Sequence, residues 1–153
     1  MPVSRRLIEA TNTAALQLTP SPITSSWIIA GNPVALSTVL SKSKDGLAWT
    51  MIWQCSEGEF NWYYDLDETI LILEGSVVLE NATMPPTPYG PGDVIFFKSG
   101  AHAIWHVEGH VRKIAFFRRS QPVLLAYVLR ACSKIKRMLT PGPGPSPISD
   151  GDN

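Results

Sequence analysis

The sequence predicts an all-β domain, an antiparallel jelly-roll β-barrel, followed by one C-terminal α-helix. Three observations carry this. Short segments rich in Val, Ile, Trp, Tyr and Phe recur through residues 26–119 with Gly, Pro, Asn or Asp between them, the pattern of strands and turns. Helical periodicity is missing from the same stretch, and eight or nine short strands without intervening helices point to a sandwich or barrel in which closure manages the edges. After Gln121 the period changes: Leu125, Val128, Leu129, Cys132, Ile135 and Leu139 recur at spacings of three and four.

A chain of 153 residues with 44% hydrophobic and 17% charged residues fits a single domain with a sizeable core. Its formal net charge of +0 sets up no global field for nucleic acid or an anionic membrane, so neither is an expected partner. The first sixteen residues, MPVSRRLIEATNTAAL, have no sustained apolar run and do not read as a secretory signal. A cytoplasmic location is expected. No run approaches the roughly 18 apolar residues of a spanning helix. Cys55 and Cys132 read as two free, buried thiols in a reducing compartment, with a strand-to-helix disulfide as the alternative.

Residues 1–25, with Pro20 and Pro22, read as an irregular arm laid over the main domain. Residues 26–31 form a first strand halted by Asn32-Pro33, and 35–41 a second, closed by the turn Ser43-Lys44-Asp45-Gly46. In the strand 47–55, Trp49, Met51, Trp53 and Cys55 share one face, and Ala48, Thr50, Ile52 and Gln54 the other. Further strands are expected at 60–64, 69–73, 76–81, 94–97, 103–107 and 111–118. Leu73-Glu74-Gly75-Ser76 looks like a tight hairpin, whereas Pro85, Pro86 and Pro88 predict a rigid loop rather than a strand. The barrel then occupies 26–119, the helix 120–140 and a flexible Pro- and Gly-rich tail 141–153. Pro122 suits the first helical turn. Arg130, Lys134 and Arg137 fall on a second face, which is either a partner-binding surface or ordinary solvated charge.

Two stretches stand out: residues 58–75, GEFNWYYDLDETILILEG, and 92–107, GDVIFFKSGAHAIWHV. Their Gly58, Trp62, Tyr64, Glu68 and Gly75, followed by Gly92-Asp93, Lys98, Gly100 and Trp105, resemble the two signature motifs of the cupin superfamily. The resemblance is to the small single-domain branch related to ureidoglycine aminohydrolase and the ethanolamine-utilisation cupins, and it covers residues 26–119. It implies a β-barrel with a pocket inside it, commonly in a homodimer. In metal-binding cupins the first motif supplies two histidines one residue apart and a glutamate, and the second motif another histidine. Here Glu68 is kept, but Trp62, Tyr64 and Ala103 stand where the histidines would be. No metal and no other cofactor is expected. If Ala103, Trp105 and Val107 face inward, alternation turns His102 and His106 outward, and only a bulge would bring either to the interior.

Phe60, Trp62 and Tyr64 alternate onto one face, as do Glu68, Ile70 and Ile72 on the next strand. With Trp53, Trp105 and Lys113 they make the candidate ligand-binding set Trp53, Trp62, Tyr64, Glu68, Trp105 and Lys113: aromatic walls to stack on, a carboxylate to orient a small polar molecule. Glu68 is also the candidate catalytic group, a buried carboxyl suited to acid–base work. The alternative is a filled barrel in which Glu68 is satisfied by Tyr64, Lys98 or Lys113. Parity alone leaves open whether Lys113 points in or out. Three functions remain open: a metabolite-binding module, an enzyme, and an interaction protein acting through the basic helix. The enzyme would be a metal-free acid–base catalyst at Glu68 or a ureidoglycine-type hydrolase.

Overall fold

Two strands far longer than the sequence predicts frame the barrel. In the computed structural model, which describes residues 7–121 and 123–139, the segments expected at 47–55 and 60–64 are one strand, β4 (Ala48–Tyr63). Those expected at 103–107 and 111–118 are likewise one strand, β9 (His102–Arg118). The breaks expected at 56–59 and 108–110 fall inside these strands, and the two strands lie against each other along their whole length. Their irregularity is absorbed as a bulge between Ser56 and Gly58. A bulge bends a strand without ending it.

That bend divides the sheet around the core. On one side of the bulge β4 and β9 run with β1 (Thr19–Pro20), β3 (Ala35–Lys42), β5 (Asp67–Gly75) and β8 (Val94–Phe97) in the order β1-β3-β4-β9-β5-β8. Beyond it they carry β2 (Ile28–Ala30) on β4 and β6 (Val77–Asn81) on β9, with β7 (Met84–Tyr89) outside β6. Every described pairing is antiparallel. This is the expected jelly-roll architecture, with its helix C-terminal to the sheet.

β7 corrects the expectation of a loop at the prolines. Among the described residues it pairs only with β6, and proline, which has no N–H to give a ladder, is tolerated on an edge strand. The arm is also less irregular than expected, since Thr19 and Pro20 pair with Ser37 and Leu36. Arg112 of β9 donates to the Thr13 carbonyl and fastens the arm further.

The core consists of the inward residues of these strands, among them Trp53, Phe60, Ile70, Ile72, Leu79, Trp105 and Val111. Gly75 closes the β5–β6 connection with φ +71°, and a Cβ there would sit 1.9 Å from the His110 carbonyl oxygen. Only glycine suits both conditions.

The helix, α1 (Val123–Leu139), falls within the 120–140 expected for it and belongs to a unit separate from that of the strands. No described helix is long and apolar enough to cross a membrane. Both cysteines are free; Cys55 is buried as expected, whereas Cys132, placed in the apolar stripe by its spacing, is exposed. The predicted tail at 141–153, the start of the arm at 1–6 and the role of Pro122 lie outside the described residues.

Candidate functional site

The interior is assembled by a change of parity on β4. Before the bulge the odd residues Trp53 and Cys55 are buried; after it Phe60 is buried and Trp62 packs on the core. Trp53 and Trp62, which strict alternation would put on opposite faces, therefore meet edge to face with ring centroids 5.7 Å apart. Trp105 lies on Phe60, stacked at 6.0 Å. These rings pack against one another in the interior of the barrel.

Lys113 points inward. It stands opposite Trp53 on β4 and Ile72 on β5, between the buried Val111 and Ala115. Its Nζ donates to Glu68 Oε1 at 2.7 Å, with both side chains 4% exposed. The same ammonium lies over Trp105 at 4.8 Å, Trp53 at 5.0 Å and Trp62 at 6.0 Å, within the range of cation–π attraction. Glu68 is held on β5 between Phe97 of β8 and Phe117 of β9.

Tyr64 completes the wall. Its hydroxyl accepts from Trp105 Nε1 at 3.1 Å, and its ring stacks on Phe97 at 4.1 Å. Burial drives its pKa well above the ordinary 10.0, and the Glu68 charge adds to this, partly offset by the Trp105 hydrogen bond. The phenol stays protonated. Burial likewise pushes the Cys55 thiol up to about 12, against the pull of the Lys113 charge, so it is not a ready nucleophile.

At the mouth of the barrel lies a cleft of about 160 Å³ whose lining includes Trp27, Trp62, Tyr63, Tyr64, Glu68 and Phe117. Of the six residues predicted to bind ligand, Trp62, Tyr64 and Glu68 line this cleft. Trp53, Trp105 and Lys113 are not among its lining residues; Lys113 is half of the ion pair, and Trp53 and Trp105 flank its ammonium. Sequence reasoning missed Trp27, Tyr63 and Phe117. Trp27 lies in the 3₁₀ turn Ser25–Trp27 and reaches the cleft by packing edge-on against Trp62 at 5.6 Å and Tyr63 at 5.2 Å. Nothing local in the sequence signals that contact.

The histidines face outward, as alternation predicts. His102 Nε2 lies 2.8 Å from Asn61 Oδ1, and the ring stacks on Tyr63. His106 sits between Glu80 at 3.0 Å and Glu59 at 3.5 Å, beside an open groove of about 600 Å³ with no aromatic wall. His110 is exposed, 4.0 Å from Glu74.

The residues at the family's metal positions do not fit a divalent ion. An indole and a methyl, Trp62 and Ala103, are neighbours across the β4–β9 ladder. Tyr64 is a protonated phenol, and the Glu68 carboxylate is already paired with Lys113. Divalent transition ions are held by several imidazole, thiolate or carboxylate donors. Among the described residues no group of three or more His, Cys, Asp or Glu could hold one.

Residues 42–115 match the profile of the EutQ-like cupin domain family. A DUF861 family protein from Pseudomonas syringae pv. tomato str. DC3000 is 27% identical, with a TM-score of 0.62 over 67% of this chain and 45% of its own. The present chain thus spans less than half of that protein. The Clostridium difficile EutQ protein shares 15% identity at a TM-score of 0.52, covering 67% of this chain and 83% of its own. The ethanolamine utilization protein Q of Salmonella typhimurium LT2 shares 21% identity at a TM-score of 0.50, covering 57% and 72%. At these identities the two EutQ proteins are similar in fold alone. No curated protein matches the chain. The antiparallel strand topology and the match at residues 42–115 are those of a cupin fold, with a EutQ-like cupin domain match confined to those residues.

Proposed function

We propose that the chain binds a small, polar, hydrogen-bond-donating metabolite in the mouth cleft, without the usual cupin metal. The observation that carries this is Glu68: it lines the cleft while its charge is already balanced by Lys113. Such a carboxylate attracts a hydroxyl or amino group as a hydrogen-bond acceptor instead of drawing in a metal ion. Trp27, Trp62 and Phe117 offer flat apolar faces to the rest of the ligand. The volume sets the size class. A cleft of about 160 Å³ equals the liquid volume of about five waters at roughly 30 Å³ each, below the roughly 300–1,000 Å³ of drug-sized sites. The ligand is therefore a molecule of a few heavy atoms, such as a short polyol or amino alcohol.

Binding is favoured over acid–base catalysis because the Glu68 oxygen Oε1 is taken up by the Lys113 ammonium. The ureidoglycine-type hydrolase needs the metal ligands that Trp62, Tyr64 and Ala103 replace. A thermal-shift screen of small polyols, amino alcohols and hydroxy acids tests the reading. A stabilising compound should lose its effect in both Trp62→Ala and Glu68→Gln. Unchanged shifts in the two variants would move the site elsewhere. The chain is further proposed to form a homodimer in the cytoplasm; sedimentation at the single-chain mass of 16.8 kDa would refute the dimer.

A further inference from the structure

The interior ion pair has the chemistry of a cation-binding site. Three tryptophan faces, Trp53, Trp62 and Trp105, approach one ammonium within 6.0 Å, and a carboxylate closes the ring at 2.7 Å. Aromatic faces with an acidic group are how proteins hold a dehydrated cation. Here the cation is part of the chain. Both partners are almost wholly removed from water, so their attraction is screened far less than that of a surface pair. Each also depends on the other, because a buried charge without a partner is costly.

The place of this cage gives it meaning. It is built around Glu68 and Trp62, two of the positions at which the cupin motif carries metal ligands, and Ala103 is the ladder neighbour of Trp62. Indole at 62 and methyl at 103 take donors away; lysine at 113 brings a positive charge to the carboxylate that remains. Trp62 and Glu68 are also the residues through which the cage reaches the mouth cleft.

We infer that Lys113 is the resident cation of this barrel, a tethered ammonium that takes the place of a divalent ion at Glu68 and holds that carboxylate at the cleft. Lys113 is a positioning residue, acting through Glu68. The tether changes what the site can do. A metal must be loaded and can be stripped by a chelator, whereas a lysine is supplied with the fold and leaves the pair with no net charge. Only this last consequence, the preference for a hydrogen-bonding ligand over a charged one, rests on the proposed function. The cage itself stands without it.

Chemical rescue tests the inference with no cleft ligand present. Lys113→Ala removes three methylenes and the ammonium, the size and charge of n-propylammonium. Thermal unfolding of this variant should be restored saturably by n-propylammonium chloride, by roughly 4 °C or more. 1-Propanol and sodium chloride at equal concentration should fall well short, and Lys113→Ala/Glu68→Gln should show no preference for the ammonium. Equal rescue by propanol, or none by the ammonium, would reduce Lys113 to a space-filler and overturn the inference. If Lys113→Ala is recovered only as insoluble protein, Lys113→Met and Lys113→Met/Glu68→Gln decide. Neutralising Glu68 should raise the melting temperature of the methionine variant, and a fall instead would overturn the charge role. Saturable stabilisation of the unmodified chain by Mn2+, Ni2+ or Zn2+ would overturn it as well. Because none of these measurements uses a cleft ligand, the cage and the mouth site can fail separately.

Discussion

The two faces of the bent β4–β9 pair each set a basic side chain against a glutamate, at very different depth. Inward, Lys113 meets Glu68 with both side chains 4% exposed; outward, His106 meets Glu80 with side chains 30% and 29% exposed. Water screens the outer pair and lets either partner find another, whereas the inner pair has only its partner and the surrounding rings. The lesson is that the number of ion pairs says little about this barrel. Depth decides: a solvent-screened pair is worth about 0–1 kcal/mol, while removing one partner of a buried pair costs about 3–5 kcal/mol.

The most direct way to break that comparison is Glu68→Gln. It leaves the Lys113 ammonium caged without a counter-charge, and urea unfolding should show a loss of about 3–5 kcal/mol. A loss below about 1 kcal/mol would place the inner pair in the same class as a surface one. The next effect sharpens where the two faces are joined. Gly75 sits at positive φ with the His110 carbonyl in the way of any Cβ, while Gly46 has nearly the same φ, +72°, and open space around it. Gly46→Ala should cost about 1 kcal/mol, the left-handed penalty alone, and Gly75→Ala at least about 2 kcal/mol more, since backbone must move. Equal losses would mean that the β5–β6 turn shifts freely. Smaller still is Glu80→Gln on the outer face, expected within about 1 kcal/mol and reduced further by salt.

How much of this was legible follows from the same two faces. Strict alternation holds from His102 to Val107, so the outward histidines and inward Trp105 could be read directly. Glu68 and Gly75 were legible for a similar reason, as a fixed spacing within one strand. The direction of Lys113 was not, because it depends on the register of β9 against both β4 and β5. The meeting of Trp53 with Trp62 depends on a bulge between Ser56 and Gly58, where the sequence shows only a break between two expected strands. Proline runs are ordinarily loop signals, and β7 escapes that rule only by lying on an edge. Trp27 was invisible: it acts through a long-range contact made by a turn, and no period or propensity marks it.

A last effect lies outside both faces, at the rim near the mouth, and sets how far electrostatics matter there. Asp67 accepts from the Ser99 backbone N–H at 3.0 Å and the Ser120 hydroxyl at 3.1 Å, and these hold its pKa below the ordinary 3.8. A lowered folded-state pKa means that the ionised form favours the native chain. That contribution is present above the unfolded value and is lost as pH falls through the folded one. Asp67→Asn should therefore be slightly less stable than the parent near neutrality. The difference should shrink as pH drops below about 4. Melting temperatures of the two proteins across that range check it. Because Asp67 is only partly buried, the gap should be the smallest of the series, and a gap rivalling that of Glu68→Gln would show that depth is not what ranks these groups.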